Sequence, residues 1–100
     1  MIINRHDNLI ELIDQTEHGR IAGVLAQAWG NRTFEIGGNA APVILAAARH
    51  DEGWRSFDGA LLFDELAKRP MHFLDLDVAR HIPLYRGGVE AVSMMDAYAG

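Results

Sequence analysis

The run Val43-Ile44-Leu45-Ala46-Ala47-Ala48-Arg49-His50-Asp51-Glu52-Gly53-Trp54 constrains the fold more than any other stretch. It is apolar and rich in alanine, the best helix former, and Gly53 reads as a helix end. Val43, Ala47, His50 and Trp54 recur at helical spacing and share one face. His50 is therefore expected to point where the apolar residues point, with Asp51 beside it. Imidazole and carboxylate at a helix end are a ready pair of metal ligands. Taken alone, the stretch favours a simpler reading: a buried histidine bonded to a carbonyl, with Asp51 fraying into solvent.

A partner for this helix lies upstream. Thr16 is placed to cap a helix from about Glu17 to Trp29, ended by Gly30-Asn31. His18, Ala22, Leu25 and Trp29 form its expected inward stripe. A histidine in a first turn would more often lie at the surface. Asn31 to Ala41, with Gly37-Gly38-Asn39, reads as a loop, and Pro42 suits the first turn of the next helix. The small side chains of Ala46, Ala47 and Ala48 allow a neighbouring helix to approach closely. The helix near Glu17 is the nearest candidate, and an antiparallel pair is expected.

Before these helices, Met1 to Arg5 and Leu9 to Ile13 are branched, apolar segments around Asp7-Asn8, which predicts a hairpin. The His6-Asp7 dipeptide falls at its tip and is expected in solvent. After Trp54, Arg55 to Gly59 reads as a turn, Leu61 to Ala67 as a short helical or irregular piece, and Lys68-Arg69-Pro70 as a breaker. His72 is expected in a loop. Trp29 and Trp54 are expected to cap the core at two helix ends.

The last helix is expected from about Asp75 to Met95, with Val78, Ile82, Tyr85, Val89 and Val92 as a continuous apolar stripe. Pro83 predicts a kink or break near Ala79. Gly87-Gly88 weakens the helix and permits close packing. His81 lies beside the stripe, in a structural role or lining a cleft as an acid or base. Either Asp96 or Met95 takes the next inward place. A carboxylate there costs free energy unless it is paired or bound to a cation.

Composition narrows the chemistry. One hundred residues, 49% of them hydrophobic, are expected to make one domain with a modest core. The net charge of -5 argues against a nucleic-acid surface, and no apolar run approaches membrane-spanning length. The N-terminus lacks a signal-peptide pattern, so the expected compartment is the cytoplasm. With no cysteine, His, Asp and Glu are the only strong metal ligands. High apolar content in a short chain predicts a homo-oligomer.

Taken together, His18, His50, Asp51 and Asp96 each lie on or next to an apolar helical stripe. Two imidazoles and two carboxylates suit a divalent metal such as Mn, Fe(II), Zn or Mg. Such an ion lowers the pKa of bound water and polarises a phosphoryl oxygen, a usual route to hydrolysis.

A histidine opening one helix, a second helix ending in His-Asp and a later helix carrying Asp resembles the HD-domain superfamily of metal-dependent phosphohydrolases. That likeness implies a small, mainly α, helical bundle, here with a short N-terminal β-hairpin. The expected division is a hairpin over 1–14 and a helical part over 16–100. It also implies that His18, His50, Asp51 and Asp96 are the metal ligands, with Asp75 and Asp77 as alternatives to Asp96. The implied substrate is a phosphorylated small molecule or nucleotide, with Glu52, Asp58 or His81 as acid, base or orienting group. The chain has Trp54 where the superfamily commonly carries a basic residue, and Arg55 follows one place later.

More closely, the chain resembles a small bacterial family catalogued as domain of unknown function 3891. The shared texture is His18-Gly19 with Ala22-Gly23, Trp29-Gly30, His50-Asp51 with Gly53-Trp54, Asp58, and Asp96 with Tyr98-Ala99-Gly100. Members of that family continue past the position of Gly100, so a short member or a fragment is expected. The alternatives to a hydrolase are a degenerate relative serving as a binding or regulatory module, and a plain structural domain.

Overall fold

The computed structural model describes residues 1–35, 37–60 and 62–100. It is a mainly helical bundle preceded by an antiparallel hairpin, as the sequence predicts. Strands β1 (Ile2–His6) and β2 (Leu9–Ile13) pair from Ile2 with Ile13 to His6 with Leu9. Asp7 and Asn8 make the two-residue connection, where asparagine and aspartate are tolerated best. The hairpin joins the rest of the chain through Met1, whose carbonyl accepts from the Phe73 amide at 2.9 Å.

Helix α1 spans Gln15–Gln27 and α2 spans Ala40–Arg49, and their packing is the most extensive between any two elements. The expected close approach through alanine is present. A Cβ on Gly23 would stand 2.5 Å from the Ala48 Cβ, and one on Gly19 would stand 2.9 Å from the Ala48 carbonyl oxygen. Side chains larger than hydrogen are excluded there, so the two backbones meet.

This contact corrects the reading of α1. Its buried positions are Gln15, Gly19 and Gly23, one step round from the stripe starting at His18. Leu25 and Trp29 are exposed, so Trp29 caps no core. Close backbone approach, rather than large side chains, selects the buried face. The N-cap is Asp14 instead of Thr16, and the helix ends at Gln27 before Gly30, which takes a φ of 119°.

Beyond α2, a 3-10 turn over Glu52–Trp54 leads into α3 (Arg55–Ala60), a short helix where the sequence reads as a turn. Trp54 lies at the centre of the core, 2% exposed, with Leu76 and Leu84. Phe57, Phe73, His81 and Tyr85 all meet its ring edge-on, at centroid distances of 5.5–6.3 Å. It thus organises the core and does not cap it.

The piece expected over Leu61 to Ala67 begins at a residue outside the described ones. From Phe63 the chain forms a two-residue ladder, β3 (Phe63–Asp64) against β4 (Arg69–Pro70). Lys68 at its turn has a φ of 49°. A 3-10 turn over Phe73–Asp75 follows, capped by His72, whose Nδ1 accepts from the Leu74 amide at 3.1 Å. The Asp75 carboxylate accepts from Arg69 Nη1 and Nη2 at 2.5 and 3.0 Å, and from the His72 amide at 2.8 Å.

That Arg69 guanidinium holds the Asp75 carboxyl at about 2, below its ordinary value. A depressed folded pKa contributes stability that is complete above the ordinary carboxylate range. That stability is lost as pH falls from about 4 toward about 2. Thermal melts of the wild type and Asp75→Asn should therefore differ near neutral pH and converge as the pH approaches that lower limit. A gap that persists unchanged at the acid end would refute this.

Helix α4 runs from Val78 to Met95, capped by Asp77, whose carboxylate accepts from the Arg80 amide at 3.2 Å. It begins at Val78, later than the expected Asp75. Pro83 removes one helical N–H, yet the helix runs unbroken. Its buried positions are Leu84, Gly88 and Val92. Of the expected stripe only Val92 is buried; Val78, Ile82, Tyr85 and Val89 remain exposed. The reason again is a glycine contact. A Cβ on Gly88 would lie 2.7 Å from the Gly53 amide nitrogen, so α4 turns that face to the 3-10 turn.

Candidate metal centre

Two features of the fold bring the histidines together. Gly19 and Gly23 let α1 settle on Ala48, the last turn of α2, which places His18 next to His50. Their rings meet edge-on, with centroids 5.5 Å apart and planes at 76°. Gly53 and Gly88 then seat the turn after α2 against α4, carrying Asp51 inward. Asp51 is 7% exposed, against the expectation that it frays into solvent.

One donor atom from each of His18, His50 and Asp51 lies within 4.8 Å of the others. Donors around a single ion at about 2.1 Å stand roughly 3.4 Å apart, so small side-chain rotations close the set. His50 is the pivot. Its Nδ1 lies 2.8 Å from the Ala47 carbonyl oxygen, an acceptor only, so Nδ1 carries a proton. In the neutral ring Nε2 is then a bare lone pair. That lone pair stands 3.1 Å from Asp51 Oδ2.

Two acceptors facing each other at this distance repel unless a cation lies between or beside them. Either a second proton on His50 or a metal ion satisfies the pair. An imidazole with its far nitrogen bonded to a backbone carbonyl is the usual arrangement of a metal-ligating histidine. The third donor, His18, adds another imidazole to the same point. That nitrogen-rich set suits Zn, Fe(II) or Mn better than Mg.

The remaining sequence candidates stand elsewhere in the bonding network. Asp96 ends α4, and its Oδ1 accepts from the amides of Tyr98 and Ala99 at 2.9 and 3.0 Å. The structure does not bring it into the three-donor set. Asp75 and Asp77 serve as the arginine partner and the helix cap already described.

Glu52 is clamped by Arg49 at 3.1 Å and by Arg55 at 2.6 and 3.0 Å. The hydrogen bond from Arg55 is the first cause that holds its carboxyl below the usual range, with Arg49 adding to it against burial. Glu52 therefore stays ionised and cannot donate a proton near neutral pH. Asp58 is buried, with Oδ1 at 2.6 Å from the Met1 ammonium and Oδ2 accepting from the Gln15 amide at 2.6 Å. It ties the hairpin to α1. His81 Nε2 lies 3.2 Å from the Phe73 carbonyl oxygen and its ring packs on Trp54.

Sequence reasoning missed the Arg49–Glu52–Arg55 clamp and the glycine face of α1. The signal for the second was present: Gly19 and Gly23 are one helical turn apart and face a run of alanines. A groove of about 720 Å3, lined by residues that include Arg55, Ser56, Phe57, Arg80 and Pro83, contains none of the three donors. A smaller cleft, lined by Ala46, Arg49, Val89, Val92 and Ala99 among others, does include His50. Among the described residues no helix is long and apolar enough to cross a membrane.

A family model described as "Protein of unknown function (DUF3891)" matches residues 1–100. No curated protein and no solved structure matches the chain.

Proposed function

The chain belongs to the DUF3891 family, and we propose that its His18, His50 and Asp51 hold a divalent metal ion used to hydrolyse a phosphorylated small molecule or nucleotide. The observation that carries the metal is the meeting of His18, His50 and Asp51, whose donor atoms lie within 4.8 Å of one another, with the far nitrogen of His50 held by the Ala47 carbonyl. The resemblance of His18 and His50-Asp51 to the HD superfamily carries the reaction and substrate class.

Three protein ligands leave a coordination position open, as catalytic sites do and closed structural sites do not. A bound ion would supply Lewis acidity and a water of lowered pKa. The chain supplies the rest. The Ala47 carbonyl fixes the His50 tautomer, and the Arg49–Glu52–Arg55 clamp holds the turn that carries Asp51. Asp96 stands outside the three-donor set, with its Oδ1 capping the amides of Tyr98 and Ala99.

A second reading has a specific observation behind it. Glu52, Asp58 and His81, the candidate acids and bases, are each committed to structural partners. This favours a module that binds the metal without turnover.

Assay on a panel of phosphomonoesters and nucleotides with added Mn, Fe(II), Zn or Mg separates the two. The hydrolase reading expects metal-dependent turnover, lost on chelation and at least ~100-fold lower in Asp51→Asn. Stoichiometric metal with a silent panel favours the binding module. Neither metal nor turnover would reject both.

A further inference from the structure

The exposed stripe of α4 has a spacing that a single chain leaves unused. Val78, Ile82, Tyr85 and Val89 follow steps of four, three and four residues, and each is 43–71% exposed. That is the 3.5-residue repeat of a helix–helix seam. Ile82 and Val89, both β-branched, fall on equivalent positions of the repeat, a choice that suits two helices.

The whole surface points the same way. A folded chain of this mass exposes about 5,700 Å2. This one exposes 7168 Å2, with a radius of gyration of 16.0 Å where about 13 Å is usual for its length. The excess of about 1,500 Å2 per chain compares with about 800 Å2 per partner in a standard interface and 1,000–2,500 Å2 in an obligate homodimer. Core-making residues are scarce to match, with only Trp54, Leu76, Leu84 and Val92 buried among the described hydrophobic side chains.

We propose that a second copy of this chain covers the α4 stripe, forming a two-fold dimer with Ile82, Tyr85 and Val89 in its seam. A two-fold interface is self-complementary, and a heptad stripe meets its own copy in register. Tyr85 stands at the midpoint of the stripe, so it lies close to its counterpart whichever way the two helices run. His18, His50 and Asp51 lie outside the stripe, and of the three seam residues Val89 borders the cleft that includes His50.

Sedimentation equilibrium over about 1 to 100 µM tests this. The expected mass is twice 11.1 kDa, and Ile82→Glu combined with Val89→Glu should halve it with helical circular dichroism retained. If that variant unfolds, cysteine cross-linking decides, since the chain has no cysteine of its own. Tyr85→Cys should give a disulfide-linked dimer under mild oxidation, while Lys68→Cys, on an exposed turn, should not. A monomer mass at every concentration, a polydisperse assembly, or equal cross-linking at both positions would overturn the proposal.

Discussion

Gly88→Ala should destabilise the protein by about 3 kcal/mol or more, while Gly87→Ala, one residue earlier, should be neutral or stabilising by roughly 0.5–1 kcal/mol. The contrast is geometric. A Cβ on Gly88 would lie 2.7 Å from the Gly53 amide nitrogen and 3.1 Å from its Cα, both backbone atoms of a packed turn. A Cβ on Gly87 meets nothing within 4 Å. The second change therefore removes only the entropy cost of a helical glycine, and the first forces α4 off the 3-10 turn.

Gly53 is the reciprocal partner, since its own Cβ would run into the Leu84 carbonyl. A shift there also moves Asp51, two residues away, so Gly88→Ala should weaken metal binding as well as folding. Urea denaturation of the two variants beside the wild type reads the first effect. Equal midpoints for Gly87→Ala and Gly88→Ala would show that the close approach is not what holds α4 in place.

The same glycines explain which parts of the fold were legible. The hairpin was readable because Asp7-Asn8 is flanked by two apolar runs, and turn chemistry is local. The second helix was readable from its alanine content, which also announced a close neighbour, but its end was not: α2 stops at Arg49, and Gly53 lies inside the 3-10 turn that follows. Helix faces were not readable for α1 and α4. Periodicity counts large apolar side chains, and in both helices the buried face is set by small ones: Gly19 and Gly23 in α1, Gly88 in α4. The face that periodicity selected on α4 is left largely exposed, and it is the face proposed for a second copy.

Of the candidate site, His18, His50 and Asp51 were legible as a set, and the structure places their donor atoms together. They were found although the stripe argument for His18 picked the wrong face, because the motif order was right when the face was not. Asp96 was singled out beside an apolar stripe, and Glu52 and Asp58 as candidate acids, bases or orienting groups, but sequence does not show what already bonds them. Capping amides, the Met1 ammonium and two arginines occupy those carboxylates.

The account turns on one ion at His18, His50 and Asp51, and isothermal titration of chelator-treated protein with Zn or Mn measures that directly. The expected result is one site per chain, weakened at least ~100-fold in His18→Ala, His50→Ala and Asp51→Asn alike. Asp96→Asn, outside the three-donor set, should bind as the wild type does. No binding to the wild type, or binding that survives in all three ligand variants, would contradict it.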